Sequence, residues 1–393
     1  MSAPLDGITV LDLSRVVAGP WATMALGDLG ADIWKIENPS EGDETRSWVP
    51  PAREGTATYY LAVNRNKASL AVDFRSERGQ AIVRELAQRA DIVVENYLTG
   101  TLARYGLDYP TLAALNPRLI YCSLSGYGRT GSLATRAGYD FVIQAESGLM
   151  SINGEPGGAP QKFGVAISDL LAGGYAVQAI LAALFARERS GQGQLIDIAL
   201  LDASVAVLSN VASASLNAGA KAKRYGNAHA SIVPYQTFAA ADATFVLACA
   251  NNRQFRDLCL AVIDRPALPD DARFATNTLR VTNRDALSPL LAECFVSRSC
   301  ADILAACKAA NIPAGRVRTV EEVLASPEVA ERNMIFETDG VRTTGSPMHF
   351  SATPVRTPSA PPALGEHSDT ILRDVLGYND AQLSELRAAK VIA

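Results

Sequence analysis

The sequence predicts an α/β protein with a large Rossmann-like parallel-sheet domain and a smaller α+β domain. Two observations carry this. Short β-branched and aliphatic runs alternate with helical segments through the first half of the chain, which is the pattern of right-handed β-α-β units in a mostly parallel sheet. Beyond about residue 225 the alternation gives way to a hairpin and then to consecutive helical segments. The expected divisions are 1–224 for the large domain, 225–330 for the small one, and 331–393 for a linker and C-terminal helices that return to the large domain.

Taken in order, the run ITVLDLS after Gly7 reads as a strand, and 21–29 as a helix closed by Gly30. DIWKIE from Asp32 is a second strand, SLAVDF from Ser69 a third, DIVVEN from Asp91 a fourth and RLIYCSLS from Arg118 a fifth, with a helix over 76–89. SIVPYQTF and TFVLACA read as a hairpin turning around 240–243, followed by helices over 252–263, 283–295 and 299–311. Prolines at 347, 354, 358, 361 and 362 exclude a regular helix over 340–362, so an extended linker is expected there. Two helices, 368–376 and 380–389, follow it.

Composition bounds the function. The 393 residues carry a net charge of −5 and are 48% hydrophobic and 20% charged, as in an ordinary soluble globular protein. An acidic total argues against nucleic acid or an anionic membrane surface as partner. It conceals a basic stretch: 46–136 holds twelve Lys and Arg against seven Asp and Glu. The N-terminal run MSAPLDGITVLDLS has neither a basic nor an apolar targeting region, and six cysteines include no C-x-x-C pair, so reduced thiols and a cytoplasmic location are expected. Three scattered histidines provide no metal-site spacing, so no metal is expected. The apolar run 170–186 is interrupted by Gly173, Gly174 and Gln178 and falls short of the roughly 20 residues of a bilayer span. Apolar on all sides, it reads as a buried core helix.

Gly126-Tyr-Gly128-Arg-Thr-Gly131 matches G-x-G-x-x-G after a predicted strand. Its context is wrong for a dinucleotide site. The third glycine should open a helix, whereas the following SLATRAGYD is loop-like, and Glu146 falls inside a helix over 140–150. The glycines mark a tight turn instead.

Asp169 is read as the end of a strand with a long helix starting directly after it. Two readings fit. Aspartate is a good N-cap and satisfies a free backbone N–H. Equally, a carboxylate at a helix N-terminus, with amides nearby to stabilise an oxyanion, can act as a nucleophile on an activated acyl group.

The stretches LDLSRVVAGPWATMALGDLGADIWKIENPSEGDETR, NRNKASLAVDFRSERG, ADIVVENYLTGTLARYGLD, NPRLIYCSLSGYGRTG, RAGYDFVIQAESGLMSINGEP and ISDLLAGGYAVQAILAALFARERSGQGQ resemble the class III coenzyme A transferases, the family of formyl-CoA and carnitine CoA-transferases. The resemblance continues in order through RYGNAHASIVPYQTF to LGEHSDTILRDVLGYND. It implies that Asp169 is the nucleophile of a CoA exchange between an acyl-CoA and a free carboxylic acid, passing through anhydride and aspartyl-CoA thioester intermediates. It also implies an interlocked ring-like homodimer, with acyl-CoA as substrate and no tightly bound cofactor.

CoA carries a pyrophosphate and a 3′-phosphate, for which cations and backbone amides are the natural partners. By resemblance, Val16, Val17 and Ala18 line the CoA tail, Val72, Arg75, Asn96, Tyr97 and Arg104 contribute further contacts, and Tyr139 lies by the thioester. Asn38 and Ala137 stand where basic residues are common, leaving Arg46 or Arg136 as replacements.

Racemases of the same superfamily carry histidine where this chain has Tyr139, in Gly138-Tyr139-Asp140, and tyrosine is a poor base at neutral pH. Transfer is therefore favoured over α-methylacyl-CoA racemisation, and over a non-catalytic CoA-binding role. The segments around His229 and 250–255 are similar to the branch acting on dicarboxylates, namely the succinyl-CoA–glutarate and mesaconyl-CoA transferases. Trp48, Tyr59, Asp140 and His229 are the candidate pocket residues for that acid.

Overall fold

The computed structural model describes residues 2–393, and the chain divides into two compact units. The first comprises the chain up to Met150, Lys162–Ala220 and Pro327–Ala393; the second comprises Ser151–Gln161 and Lys221–Ser326.

The first unit is built on six strands: β1 (Thr9–Asp12), β2 (Asp32–Glu37), β3 (Lys67–Ala71), β4 (Ile92–Glu95), β5 (Ile120–Ser125) and β6 (Leu195–Ala199). They lie in the order β3-β2-β1-β4-β5-β6, and every neighbouring pair is parallel. Val10 of β1 sits opposite Ile33 on one side and Ile92 on the other. Because the chain moves outward from β1 to β3 and then returns to the far side of β1 with β4, the loops leaving β1 and β4 diverge. They open a crevice at the carboxyl ends of those two strands.

Alternation sends Val10 and Leu11 into different cores. Val10 packs with α1 (Ala18–Asp28) and the long helix described below; Leu11 packs with α2 (Glu77–Arg89) and the C-terminal helices. Strands buried on both faces are what an all-parallel sheet requires. Ser76 caps α2 by accepting the N–H of Gly79 at 3.1 Å.

Residues 126–139 form no helix, so the G-x-G-x-x-G run is a turn; α3 (Asp140–Glu146) begins only at Asp140. A Cβ on Gly126 would stand 2.7 Å from the Cα of Gly138, so two backbones touch where side chains would keep them apart. Helix α4 (Ile167–Ser190) follows a stretch without strand structure. The expected strand before Asp169 does not form, since Gly154, Pro156, Gly157, Gly158, Pro160 and Gly164 crowd its approach.

Helix α4 also departs from the all-round burial expected of it. Ala172, Gly173, Ala176, Ile180 and Ala183 form a buried stripe, while Tyr175, Leu181 and Phe185 are exposed, Phe185 to 66%. The buried stripe packs on α1. A Cβ at Gly173 would meet Ala18 O and Trp21 Cδ1, each at 2.8 Å, so glycine sets how closely the two helices cross.

The strand β6 was not expected; its run LIDIA has a single polar residue, Asp197, and alternates exposed with half-buried positions at the sheet edge. Within 340–362, Val341–Thr344 pairs with Ile335–Thr338 as a hairpin, and the remainder has no regular structure. The terminal helices α5 (Ser368–Asp374) and α6 (Asp380–Ala388) place Ile371, Leu372, Leu383 and Leu386 in the core shared with α2.

The second unit has a three-stranded antiparallel sheet, with Thr244–Ala248 between Tyr235–Ala239 and Ala314–Arg316. Helices Arg284–Phe295 and Cys300–Ala309 pack on it around Phe238, Phe245 and Phe295. Its cysteines are free thiols in an apolar core; burial pushes Cys249 and Cys259 up to about 12, which keeps them unreactive.

Candidate active site

The loop leaving β1 is pinned from below by buried charge. Lys35 donates to the Ser14 carbonyl and to Asp43 Oδ2, both at 2.9 Å. Asp43 Oδ1 accepts the N–H of Val16 at 3.3 Å and that of Thr45 at 3.0 Å. Burial opposes the charge on Asp43, but Lys35 and these hydrogen bonds outweigh it and hold the carboxyl at about 2. Lys67, beside Asp12, is brought down to about 8 by burial.

The same loop is gripped from β4. Asn96 Oδ1 accepts the N–H of Arg15 at 2.9 Å while its Nδ2 donates to the Arg15 carbonyl at 2.6 Å. Held on both sides, Val16 adopts φ +69°, a left-handed conformation that β-branched residues rarely take.

Above this loop lies a cavity of about 220 Å³ lined by Arg15–Ala18, Asn96–Thr99, Gly126, Arg136–Tyr139 and Asp169. It occupies the crevice between the diverging loops of β1 and β4, where open parallel sheets take their ligands. A second cavity of about 400 Å³, lined by Asn38, Val72, Arg75 and Tyr105, shares Arg15, Glu44 and Tyr97 with the first. The Arg15 guanidinium lies 4.5 Å above the Tyr97 ring and bonds Glu44 at 2.8 Å, so it stands at the junction of the two.

Asp169 is the third residue of α4; the N-cap residue is Ala166, whose side chain makes no capping hydrogen bond. The capping role is therefore not its role. It is 8% exposed and, among the described residues, forms no hydrogen bond or ion pair through its carboxylate. Burial, and then the charge of Asp140, raise it to about 7. Asp140 is itself occupied: its Oδ1 accepts the N–H of Ser168 and its Oδ2 accepts from Gln144 Nε2, both at 2.8 Å. A partly buried carboxylate without a cation, facing a cavity, can attack an electrophile without first breaking a salt bridge.

The chain matches a family model described as CoA-transferase family III over residues 5–368. The chain belongs to this family.

It is 42% identical to human succinyl-CoA:glutarate CoA-transferase over 99% of this chain and 90% of that protein. It is 44% identical to a succinate–glutarate CoA-transferase of Agrobacterium fabrum, over 95% of this chain and 96% of the relative. A CaiB/BaiF family crystal structure from Brucella suis superposes with a TM-score of 0.87 at 45% identity, covering 95% of this chain and all of that one. This family III CoA-transferase is thus an α/β enzyme whose helix α4 carries Asp169 to the crevice beside the switch point of its parallel sheet.

Of the residues singled out from the sequence, Val16, Val17, Ala18, Asn96, Tyr97 and Tyr139 line the cavity with Asp169, and Val72 and Arg75 line the adjoining one. Arg75 is exposed and bonded to Asp73. Arg104 is exposed at the end of the turn Leu102–Tyr105 and lines neither cavity. Tyr59 and Asp140 line a third cavity, and Trp48 stacks edge-on against Tyr59 at 5.0 Å. His229 belongs to the second unit, where its Nδ1 accepts the N–H of Ser231 and its ring packs on Tyr235.

Arg46 is committed to Glu37 and Tyr60, whereas Arg136, bonded to Glu146, borders the Asp169 cavity. Arg15 and Gln144 went unnoticed in the sequence. Arg15 could have been found from its place in the loop after the first strand of a parallel sheet; Gln144 carried no comparable signal.

Proposed function

We propose that this CoA-transferase moves CoA from an acyl-CoA thioester to a dicarboxylic acid with Asp169 as the covalent nucleophile. The observation that carries the reading is the unpaired, buried carboxylate of Asp169 in the switch-point crevice. The glutarate named for its 42–44% identical relatives supports the choice of acid.

The Asp169 carboxylate adds to the thioester carbonyl, and CoA leaves as a thiolate, forming a mixed anhydride. The thiolate attacks the aspartyl carbonyl of that anhydride and releases the donor acid, leaving an aspartyl-CoA thioester. The acceptor carboxylate attacks this thioester to form a second anhydride and free the thiolate again. Thiolate attack on the acceptor's carbonyl yields the new acyl-CoA and restores Asp169. Every step is acyl exchange, so CoA serves as substrate and no redox partner is consumed. The loop Arg15–Ala18 and Asn96, Tyr97 and Tyr139 bind the thioester end of CoA in this scheme, with Arg15, Arg75 and Arg136 as the cations available to its phosphates.

The exposed apolar stripe Tyr175, Leu181 and Phe185 supports a homodimer that buries this face of α4. Two measurements test the reading. Exchange of succinyl-CoA against a panel of mono- and dicarboxylates should show transfer to dicarboxylates. Borohydride or hydroxylamine trapping after incubation with acyl-CoA should leave an adduct on Asp169, and an unmodified Asp169 peptide in an active enzyme excludes the covalent route.

A further inference from the structure

A third cavity, about 500 Å³, lies against the first turn of α4, beside the cavity that Asp169 lines. Val17 lines both cavities. Ala166 and Leu170, which flank the turn carrying Asp169, line the third one, and Tyr59 on its wall feels the charges of both Asp169 and Asp140. Its volume is that of a small-molecule site. Its walls are mainly apolar, with Trp21, Val63, Phe141 and Leu170 among them.

Among the described residues lining this cavity, Lys162 is the one cation. Its Nζ donates to the Phe163 carbonyl at 3.0 Å and has no carboxylate partner among the described residues. The one carboxylate among the lining residues, Asp140, has its two oxygens engaged by Ser168 and Gln144 and forms no ion pair with it. An apolar chamber with a single uncommitted ammonium matches a short aliphatic chain that ends in a carboxylate.

We propose that this cavity is the subsite for the non-reacting end of the acid, with Lys162 binding its distal carboxylate. The methylene chain lies on the apolar walls and its reacting carboxyl faces Asp169. The inference rests on the dicarboxylate reading and adds the residue that makes the choice between di- and monocarboxylic acids.

The test measures kcat/KM for glutarate and for pentanoate, which has the same chain length, in the wild type, Lys162→Met and Lys162→Arg. The wild type should favour glutarate. Lys162→Met should lower kcat/KM for glutarate about tenfold to a hundredfold, mostly through KM, and leave pentanoate within about twofold, as expected for loss of one charge-assisted contact. Lys162→Arg should keep most of the preference for glutarate. A wild type that favours glutarate, with Lys162→Met retaining that preference, overturns the subsite while the dicarboxylate reading stands. A wild type that transfers CoA to no dicarboxylate overturns both. Lys162 is exposed, and thermal melting of each variant verifies that it is folded.

Discussion

Asp140 Oδ1 accepts the backbone N–H of Ser168 at 2.8 Å, so one carboxylate anchors the helix turn on which the other, Asp169, is displayed. Asp140 thereby does two things at once. It fixes the position of Asp169, and its charge adds to burial in raising Asp169 to about 7.

A pH profile follows. In the proposed mechanism Asp169 attacks only when ionised, so kcat/KM should rise with pH through about 7, the value for the free enzyme. Asp140→Asn keeps an oxygen acceptor for Ser168 but removes the charge, so this rise should move to lower pH. Initial-rate profiles from pH 5 to 9 decide it; an unmoved midpoint would show that Asp140 does not act electrostatically.

Asp169→Asn should abolish transfer by several orders of magnitude and yet stabilise the fold at alkaline pH. The carboxyl sits at 3.8 when solvated and about 7 in the native state, so between these values the native protein holds the extra proton. Stability therefore falls as pH rises through that window, by at most about 4 kcal/mol, and the full cost remains above pH 7. Asparagine carries no such cost. Melting temperatures of wild type and variant should be similar near pH 4 and diverge by pH 8 in favour of the variant.

Asn96→Ala removes both bonds to the Arg15 backbone, beneath a valine in a left-handed conformation. The loop should relax, raising KM for acyl-CoA about tenfold while KM for the acceptor acid changes little. A parallel rise in both constants would place the effect outside the loop.

Adjacent glycines in α4 make a paired test. Gly173→Ala puts a methyl 2.8 Å from Ala18 O and Trp21 Cδ1 and should destabilise by about 1–3 kcal/mol. Gly174→Ala meets nothing within 4 Å and should be neutral or stabilising by up to about 1 kcal/mol. Denaturant unfolding of the two variants measures the contrast.

Much of the first unit was legible because local signals agreed with the fold. The strands β1 to β5 have β-branched or aliphatic runs, Ser76 caps α2, and Gly30 ends α1. Edge strand β6 was missed because its short run, with Leu195 and Asp197 exposed, shows no polar–apolar alternation in the sequence. The strand expected before Asp169 does not form, and the start of α4 leaves little trace in sequence because its N-cap is Ala166 and the side chain that accepts from its first turn, Asp140, lies 28 residues away from Ser168. Helix α4 was expected to be buried all round because its apolar content is nearly uniform, and composition does not record which face is buried.

By itself, the sequence determined the parallel α/β class and, through ordered motifs along the chain, the family, and by resemblance it singled out Asp169 as the candidate nucleophile. Tertiary structure alone decided that no cation pairs with Asp169 among the described residues, that Asn96 and Lys35 grip one loop from opposite sides, and that Lys162 is the one cation lining a mainly apolar cavity. The reason is physical. Burial, charge pairing and enclosure are set by residues as far apart in the chain as Arg15 and Asn96, which only folding brings to within a hydrogen bond of each other.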